Sequence, residues 1–259
     1  MNIIHRIEKW VDRCIAYVPR QRPLKKESSN ASLIAHRGAH DDALSIKENT
    51  LAAFDRALNL GCQGIEFDVH ATADHVLVVN HDPTLKRLWG HDVAINQLSF
   101  EALRTLAPAL PSLTEVVERY SKRMHLFIEL KAPFKNSNEL ANILQRLAPC
   151  VDYHLLCLNE AVFTTLALFP KESLLLVPTF NNVNKFCKLS LQHCYGGILG
   201  HYLLLGHRQI KQMQTAKQLV GVGFVDSKFS LYRELNRGIP LLFTNNAAIM
   251  ADCLKKLRE

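Results

Sequence analysis

From Leu33 to the end of the chain, short apolar runs alternate with longer stretches in which apolar residues recur at helical spacing. The runs predict strands Leu33–Ala35, Gly64–Val69, Leu126–Leu130, His154–Cys157, Leu174–Val177, Gly197–Leu199, Val220–Val225 and Leu241–Phe243. The intervening stretches predict helices Glu48–Leu60, Leu113–Arg123, Ser137–Leu147, Glu160–Ala167, Val183–Leu191, Gly206–Ala216, Ser227–Asn236 and Ala247–Leu257. The pattern is therefore β then α, repeated to the end.

This alternation predicts an α/β fold with a parallel sheet, most simply a closed (β/α)8 TIM barrel in a single domain. The length of 259 residues suits one such barrel. An open, doubly wound sheet is the alternative. The first strand–helix turn lacks the GxGxxG pattern that would support a dinucleotide site in that fold.

The first 32 residues stand outside the alternation. Residues 1–18 place apolar side chains at helical spacing with Arg6, Lys9 and Arg13 between them, which predicts an extra amphipathic N-terminal helix. A polar linker follows, and the barrel is expected to occupy residues 33–259. The helix either docks on the barrel or lies on an acidic membrane surface. Docking is favoured, because apolar helix faces more often pack into a core.

An insertion interrupts the alternation of strands and helices between the second and third strands of the predicted barrel. It covers Val76–Asn80 and then Asp82–Ser112, a length that is uncommon in a compact domain unless it is functional. We interpret its first part as a hairpin strand that runs back along the barrel. That strand would deliver His81 to the site.

Charge and cysteine content narrow the expected partners and compartment. The net charge of +7 favours anionic partners, although a lysine-rich soluble surface explains it equally well. No nucleic-acid-binding motif accompanies the charge, so nucleic acid is not expected. The seven cysteines contain no CxxC pair, which indicates a reducing compartment. With no apolar run of membrane-spanning length and no signal sequence, we expect a cytoplasmic protein, with association at the inner membrane surface through the N-terminal helix as a further candidate.

Charged side chains cluster where the first three predicted strands end. They are His36, Arg37, Glu66, Asp68, Glu129 and Lys131. Active sites of (β/α)8 barrels lie at the C-terminal ends of the strands, and residues two apart on a strand share a face. We therefore expect these side chains to meet at one rim.

Three converging carboxylates, Glu66, Asp68 and Glu129, form an oxygen-ligand set that suits Mg²⁺ or Ca²⁺, with Mn²⁺ as a third candidate. Burying them without a cation would be costly. With a divalent cation, Arg37 and Lys131 make the rim positive, so an anionic phosphate can bind there. The plainer interpretations are a solvated carboxylate pair on an edge strand and an ordinary surface salt bridge between Glu129 and Lys131.

His36 and His81 are the candidate proton carriers, because imidazole titrates near neutral pH. Cleavage of a phosphodiester needs a base for the attacking hydroxyl and an acid for the leaving alcohol, and the assignment of the two roles stays open. Glu48 and Asn49 fit a helix N-terminus, where Glu48 would hold Arg37 or contact substrate. His70 continues the row of Glu66 and Asp68 in a supporting position.

Taken together, these motifs resemble the glycerophosphodiester phosphodiesterase family from Leu33 onward, strongly in the first half and loosely in the second. The matching stretches are His36–Gly38, Glu48–Phe54, Gly64–Val69 with Thr72 and Asp74, Val78–Leu85, Leu110–Leu113 and Glu129–Lys131. The resemblance implies a TIM barrel that hydrolyses glycerophosphodiesters to an alcohol and sn-glycerol 3-phosphate. It also implies metal ligation by Glu66, Asp68 and Glu129, acid–base roles for His36 and His81, and phosphate contacts from Arg37 and Lys131. Attack by water and attack by the substrate's own neighbouring hydroxyl are both compatible with it.

The sequence departs from the family pattern in regions that would contact the head group. Gly223–Asp226 replaces the family's Trp-Thr-Val-Asn run, Cys157-Leu158 replaces Ser-Phe, and His75 replaces a turn glycine. The lost tryptophan and the amphipathic helix favour a second hypothesis, a lysophospholipase D acting on lysophospholipids. A third, weaker hypothesis is a non-catalytic barrel that binds an anionic ligand.

Overall fold

The computed structural model describes residue 14 and residues 16–259. In this part of the chain the strands are β1 Ser32–His36, β2 Gly64–Ala71, β3 Leu77–Val79, β4 His125–Leu130, β5 Tyr153–Cys157, β6 Leu174–Leu176, β7 Gly197–His201, β8 Leu219–Gly223 and β9 Leu241–Thr244. The α-helices are Lys25–Ser29, Leu51–Asn59, Lys86–Trp89, Phe100–Leu106, Leu113–Tyr120, Ser137–Leu144, Val183–His193, His207–Thr215, Lys228–Asn236 and Ala247–Arg258. Short 3-10 helices cover Asp42–Leu44, Ile95–Gln97, Glu160–Thr165 and Lys171–Ser173.

Eight parallel strands close into a barrel. The hydrogen-bonded order runs β1-β9-β8-β7-β6-β5-β4-β2, and β2 pairs again with β1. Closure removes the sheet edges that an open doubly wound sheet would keep. The TIM barrel prediction is confirmed, and all eight predicted barrel strands are present with shifts of one or two residues at their ends.

Alternation along each strand separates two apolar layers. One face of the strands packs against the surrounding helices, for example through Ile65 and Phe67 of β2. The opposite face points into the barrel, where a smaller set of side chains fills the lower half: Ile34, Phe127, Leu156, Leu175, Leu199 and Phe243. Because side chains repeat every two residues, His36, Asp68 and Glu129 continue these inward rows toward the C-terminal ends of the strands.

The insertion after β2 folds as expected at its start. β3 pairs antiparallel with the end of β2, so the chain turns back and brings His81 to the barrel mouth. The rest of the insertion has its own small core around Val78, Leu85, Ile95 and Leu103. The hairpin prediction is confirmed, and the insertion is a packed unit against the barrel.

The predicted linker contains a short helix, Lys25–Ser29, which contacts the last helix of the barrel. Arg258 Nε donates to the Ser28 carbonyl at 3.0 Å, and the Ser28 hydroxyl donates to the Leu257 carbonyl at 3.4 Å. The linker is therefore partly helical and attached to the barrel. The helix predicted over residues 1–18 falls almost entirely outside the described residues. No helix in the described part of the chain is long and apolar enough to cross a membrane.

Two helix predictions need correction. The helix expected to begin at Glu48 begins at Leu51, because the Thr50 hydroxyl accepts a hydrogen bond from the Ala53 backbone N–H and caps the helix there. The segment expected as an α-helix at Glu160–Ala167 is a 3-10 helix, Glu160–Thr165. The Asn159 side chain accepts from the Ala161 N–H at its start, and the helix ends at Thr165, after about two turns.

Candidate active site

Three carboxylates converge at the C-terminal end of the barrel. One oxygen each from Glu66, Asp68 and Glu129 lies within 4.8 Å of the others. The three residues are only 2%, 1% and 9% exposed, so their charges are largely removed from water. Asp68 and Glu129 are paired in register on neighbouring strands, and Glu66 precedes Asp68 by one strand period. The cluster thus follows directly from the register of β2 against β4.

Two positively charged side chains, Lys131 and Arg37, lie against these carboxylates. Lys131 Nζ is 2.6 Å from Asp68 Oδ1 and also contacts the Glu129 carboxylate. Arg37 donates its backbone N–H to Glu66 Oε2 at 3.0 Å, and its Nε lies 3.4 Å from Asp68 Oδ2. Three ionised carboxylates and two positively charged side chains sum to one net negative charge. A divalent metal ion would make the sum positive.

The backbone conformation at Arg37 and Gly38 orients the hydrogen bond from the Arg37 backbone N–H to Glu66. Arg37 has φ of 55° and Gly38 has φ of 79°, both in the left-handed region. This turn directs the Arg37 N–H toward Glu66. A Cβ at position 38 would lie 2.7 Å from the Ala53 Cβ, so only glycine fits here. The strain of a non-glycine residue in this region is typical of functional sites.

Burial and mutual repulsion separate the pKa values of the carboxylates. Burial, followed by the charge of Asp68, raises the pKa of Glu66 to about 8 and the pKa of Glu129 to about 7. Burial acts in the same direction on Asp68, but the charges of Lys131 and Arg37 outweigh it and hold the pKa of Asp68 below its usual range. Asp68 is therefore the anion that the two cations stabilise, while the two glutamates need a further positive charge to ionise fully.

The donor set fits a hard divalent cation. Glu66 Oε1 is buried and has no hydrogen-bond partner, so one oxygen of the cluster is left unsatisfied. Metal–oxygen distances of about 2.0 to 2.6 Å for Mg²⁺ and Ca²⁺ place opposite ligands within about 5 Å of each other, which matches the spacing of these oxygens. All three donors are carboxylates, which favours these ions over zinc.

The two histidines line the same cleft as Glu66 and Glu129. His36 Nε2 lies 3.7 Å from Glu66 Oε2, and its Nδ1 lies 2.7 Å from Asn245 Oδ1. His81 Nδ1 lies 2.9 Å from Asp82 Oδ1. Burial, and then the charge of Arg37, lowers the pKa of His36, and burial also lowers the pKa of His81 despite its carboxylate neighbours. Both shifts are toward the neutral imidazole, relative to an exposed histidine.

The predicted supporting residues lie one contact further out. Glu48 accepts hydrogen bonds from Arg37 at 3.0 Å and from Arg87 at 2.7 Å, and it therefore holds the Arg37 guanidinium in place. Asn49 is buried and donates its Nδ2 to Asp68 Oδ2 at 2.8 Å. His70 Nε2 lies 3.1 Å from the His81 carbonyl, which places it behind His81 and outside the cleft lining.

The cleft has a volume of about 960 Å³, and its two sides differ. One side carries the charged groups described above. The other is apolar and includes Leu158, Phe180 and Phe224, which are 42%, 66% and 44% exposed. Phe224 stacks on His201 with ring centroids 4.9 Å apart. A ligand that joins a phosphate to an apolar group would contact both sides.

Sequence reasoning missed three residues of this site. Asn245 contacts both His36 and Asp226, and Arg87 links Glu48 to Asp82. Asn245 follows β9 directly and Asp226 lies just beyond β8, so the strand-end rule that selected residues on the first three strands would have found both. Arg87 belongs to the insertion, where no periodic pattern marks it.

The fold and the site together define a (β/α)8-barrel protein with a buried carboxylate cluster and two histidines in one cleft. A model of the "Glycerophosphoryl diester phosphodiesterase family" matches residues 36–181, more than half of the chain. The chain belongs to this family. The matched range includes all three carboxylates and both histidines.

Individual relatives match over shorter stretches. The chain is 31% identical to glycerophosphodiester phosphodiesterase 1 of Bos taurus over 165 residues, which is 56% of this chain and 49% of that protein. It is 41% identical to lysophospholipase D GDPD1 of Homo sapiens over 76 residues, 29% of this chain and 23% of that protein. The matches therefore span half or less of the length of these curated relatives.

Solved structures share the fold at lower identity. A phosphodiesterase from Oleispira antarctica, in complex with the product sn-glycerol-3-phosphate, superimposes with a TM-score of 0.75 at 20% identity. The alignment covers 86% of this chain and 96% of that chain. A glycerophosphodiester phosphodiesterase from Thermotoga maritima gives a TM-score of 0.72 at 21% identity, over 86% and 97% of the two chains. These likenesses agree with the closed barrel.

Proposed function

We propose that this chain is a phosphoric diester hydrolase that cleaves glycerophosphodiesters to an alcohol and sn-glycerol 3-phosphate. The observation that carries the proposal is a cluster of three buried carboxylates, two of which, Glu66 and Glu129, line one cleft with the two histidines. Membership of the family supports it, as does the product bound to the Oleispira antarctica phosphodiesterase. A barrel that only binds an anion would not need two histidines beside the carboxylates.

Glu66, Asp68 and Glu129 would hold the divalent cation, which is Mg²⁺ or Ca²⁺, with Mn²⁺ as a third candidate. When bound, the cation supplies positive charge to a non-bridging phosphate oxygen and orients the reacting groups. Arg37 would grip the phosphate through its planar guanidinium, and Lys131 would act as a point charge. Both of these side chains, Arg37 and Lys131, line the cleft beside Glu66 and Glu129.

His36 and His81 would move the protons. One accepts the proton of the attacking hydroxyl, and the other gives a proton to the leaving alcohol, since each presents an imidazole to the cleft. Asp82 holds His81 through Nδ1, and His70 fixes the backbone of His81. Glu48 and Asn49 keep Arg37 and Asp68 in place, so the supporting residues preorganise the site.

The decisive experiment measures products from a panel of glycerophosphodiesters. The purified chain is freed of metal with EDTA and then given Mg²⁺, Ca²⁺ or Mn²⁺. We expect release of sn-glycerol 3-phosphate with added metal and loss of activity in His36→Ala and His81→Ala. The control is His91→Ala, which changes an exposed histidine away from the cleft. Equal turnover in EDTA, or in His36→Ala, would exclude the proposal.

The apolar side of the cleft favours a second candidate, a lysophospholipase D that acts on lysophospholipids. Leu158, Phe180 and Phe224 offer exposed apolar surface next to the phosphate-binding side, where an acyl chain would fit. The partial match to a human lysophospholipase D supports this candidate.

Two substrates separate the candidates. A lysophospholipase D releases choline from lysophosphatidylcholine much faster than from glycerophosphocholine. In that case, Leu158→Ser and Phe180→Ser reduce kcat/KM for the lipid and leave the water-soluble diester unaffected. Leu168→Ser is the matched control, since Leu168 is exposed but lies outside the cleft lining. Faster cleavage of glycerophosphocholine counts against the second candidate.

We also propose that residues 33–259 form the catalytic unit and, as the alternative to docking of the predicted helix of residues 1–18 on the barrel, that this helix contacts the membrane at the inner, cytoplasmic surface. The amphipathic pattern and basic residues of positions 1–18 support this. Co-sedimentation with vesicles rich in anionic phospholipid tests it. Charge reversal at Arg6 and Lys9 should reduce binding, whereas equal binding to neutral vesicles would contradict the proposal.

A further inference from the structure

A chain of hydrogen bonds leads away from His36 on the side opposite the carboxylates. His36 Nδ1 lies 2.7 Å from Asn245 Oδ1, and Asn245 Nδ2 donates to Asp226 Oδ2 at 3.1 Å. Asp226 Oδ1 accepts from the Asn245 backbone N–H at 2.7 Å and from the Thr244 hydroxyl at 2.8 Å. Three donors at the end of β9 therefore fix the Asp226 carboxylate, which lies just beyond β8.

The direction of every bond in this chain is set by Asp226. An ionised carboxylate only accepts hydrogen bonds, so the amide group that faces it must be the Nδ2 of Asn245. The Oδ1 of Asn245 then faces His36 and can only accept. His36 must donate from Nδ1, which leaves Nε2 as the ring nitrogen with a free lone pair. That nitrogen is the one on the carboxylate side of the cleft.

We propose that Asp226 and Asn245 are positioning residues that lock His36 in its Nδ1–H tautomer and thereby make Nε2 the proton acceptor of the reaction. This inference rests on the proposed phosphodiesterase function. It assigns His36 the role of base, and His81 then has the role of acid. Neither Asp226 nor Asn245 needs to touch the reacting atoms.

The proton balance of the step follows. His36 Nε2 takes the proton of the attacking hydroxyl as its oxygen bonds to phosphorus. The bond from phosphorus to the leaving oxygen breaks, and that oxygen takes a proton from His81, which enters the step as imidazolium and leaves it as neutral imidazole. His36 then carries N–H groups on both nitrogens, and its Nδ1–H still donates to Asn245. Proton exchange with solvent returns His36 to the neutral imidazole and His81 to the imidazolium.

Replacing Asp226 by the isosteric asparagine reverses the direction of the hydrogen bonds that run through Asn245 to His36. In Asp226→Asn, one oxygen still serves Thr244 and the backbone N–H, and the new amide NH₂ faces Asn245. The Asn245 amide must turn to accept from it, and it then offers NH₂ to His36 Nδ1. His36 becomes an acceptor at Nδ1 and carries its proton on Nε2. The exchanged pair Asp226→Asn with Asn245→Asp restores the original direction, because the carboxylate at position 245 accepts from both neighbours.

The test reads the tautomer and the kinetics of the full chain. Imidazole ¹⁵N shifts of histidine-labelled protein at pH 8, with the His36 signal assigned by its loss in His36→Gln, should show Nδ1–H in the wild type. They should show Nε2–H in Asp226→Asn and Nδ1–H again in the exchanged pair. Because general base catalysis contributes about 10²- to 10⁴-fold, we expect a fall in kcat of that order with KM little changed in Asp226→Asn. The exchanged pair should recover kcat.

Asp252→Asn is the matched control, because it makes the same change in an exposed ion pair with Lys256. An Nε2–H tautomer in the wild type, or an unchanged tautomer in Asp226→Asn, overturns the inference. So does failure of the exchanged pair to recover the tautomer while urea unfolding shows it folded. A wild type with the expected tautomer but no phosphodiesterase activity refutes the proposed function instead, so the two failures are distinguishable.

Discussion

Asp68 and Glu129 are register partners on β2 and β4, and the ammonium of Lys131 contacts both carboxylates. The pairing puts two anions side by side in a buried barrel mouth, with Glu66 one strand period away. Such an arrangement stabilises neither the fold nor the anions by itself, because desolvated carboxylates repel each other. It gives the site a strong preference for bound cations.

Replacing Glu66 by glutamine should separate stability from metal binding. Because burial disfavours the charged form of Glu66, Glu66→Gln in EDTA is expected to unfold at a temperature no lower than the wild type. Mg²⁺ or Ca²⁺ at one hundred times its dissociation constant stabilises a protein by about 2.7 kcal/mol, or about 5 to 10 °C for a chain of this size. We expect this shift in the wild type and in the surface control Glu139→Gln, and its loss in Glu66→Gln. Calorimetry measures the unfolding temperatures. An equal metal-induced shift in the wild type, Glu139→Gln and Glu66→Gln would contradict the assignment of Glu66 as a metal ligand.

Removal of the Arg37 side chain should weaken substrate binding. Its guanidinium is held by Glu48 at 3.0 Å and presents its other donors near the cleft. Loss of a hydrogen bond to a charged group costs about 1.5 to 3 kcal/mol, so we expect kcat/KM for glycerophosphocholine to fall about 10- to 100-fold in Arg37→Ala. Arg123→Ala removes an exposed arginine and should leave the rate unchanged. Unaltered kinetics in Arg37→Ala would remove the residue from the phosphate site.

Two glycines with the same backbone angle test the turn that aims Arg37. Gly38 has φ of 79° and Gly61 has φ of 77°, but only a Cβ at Gly38 would meet neighbouring atoms, at 2.7 Å. We expect Gly61→Ala to cost about 1 kcal/mol from the backbone angle alone, and Gly38→Ala to cost more and to lower activity. Urea unfolding measures both. Equal losses would mean that the neighbouring helix yields and the close approach is unimportant.

A buried histidine pair at the other end of the barrel should control stability in acid. The Val151 carbonyl accepts from His125 Nδ1, so His125 Nε2 accepts from His154 Nδ1 at 2.7 Å. Burial, and then the charge of His125, lowers the pKa of His154 from 6.5 to about 3. The folded protein thus keeps His154 neutral where the unfolded chain binds a proton. Stability is full above about pH 6.5 and is lost as the pH falls toward 3, by up to about 1.4 kcal/mol per pH unit for this group.

His154→Gln removes this titration while keeping a neutral donor toward His125. Urea unfolding between pH 4.5 and 7.5 should therefore show a shallower dependence on pH than in the wild type or in the exposed control His91→Gln. Burial also lowers the pKa of His125, against the opposing effects of the Val151 carbonyl and Asp152, so part of the slope should remain. Parallel curves for all three proteins would contradict the account.

The chain order of the elements was predictable because strand and helix periods differ. Inward rows on the strands, such as Glu66, Asp68 and His70, could be seen in the sequence, and the observed register brings Glu66 beside His36 and Asp68 beside Glu129. The hairpin that carries His81 was also predictable, since a short apolar run and a polar end frame it. The start of the helix at Leu51 was missed because the competing cap, Thr50, differs from its neighbours only in its local hydrogen bonds.

The sequence by itself determined the alternation of eight strands with helices and the residues at the strand ends that face the barrel mouth on the first strands, because local periodicity and strand-end chemistry encode them. Only the tertiary structure decided that Lys131 lies against Asp68, that His70 contacts the His81 carbonyl, and that Asn245 lies between His36 and Asp226. These contacts join residues up to 209 positions apart in the chain. The contact of Asn245 with His36 exists only because closure of the sheet places the last strand beside the first, and no local pattern carries that information.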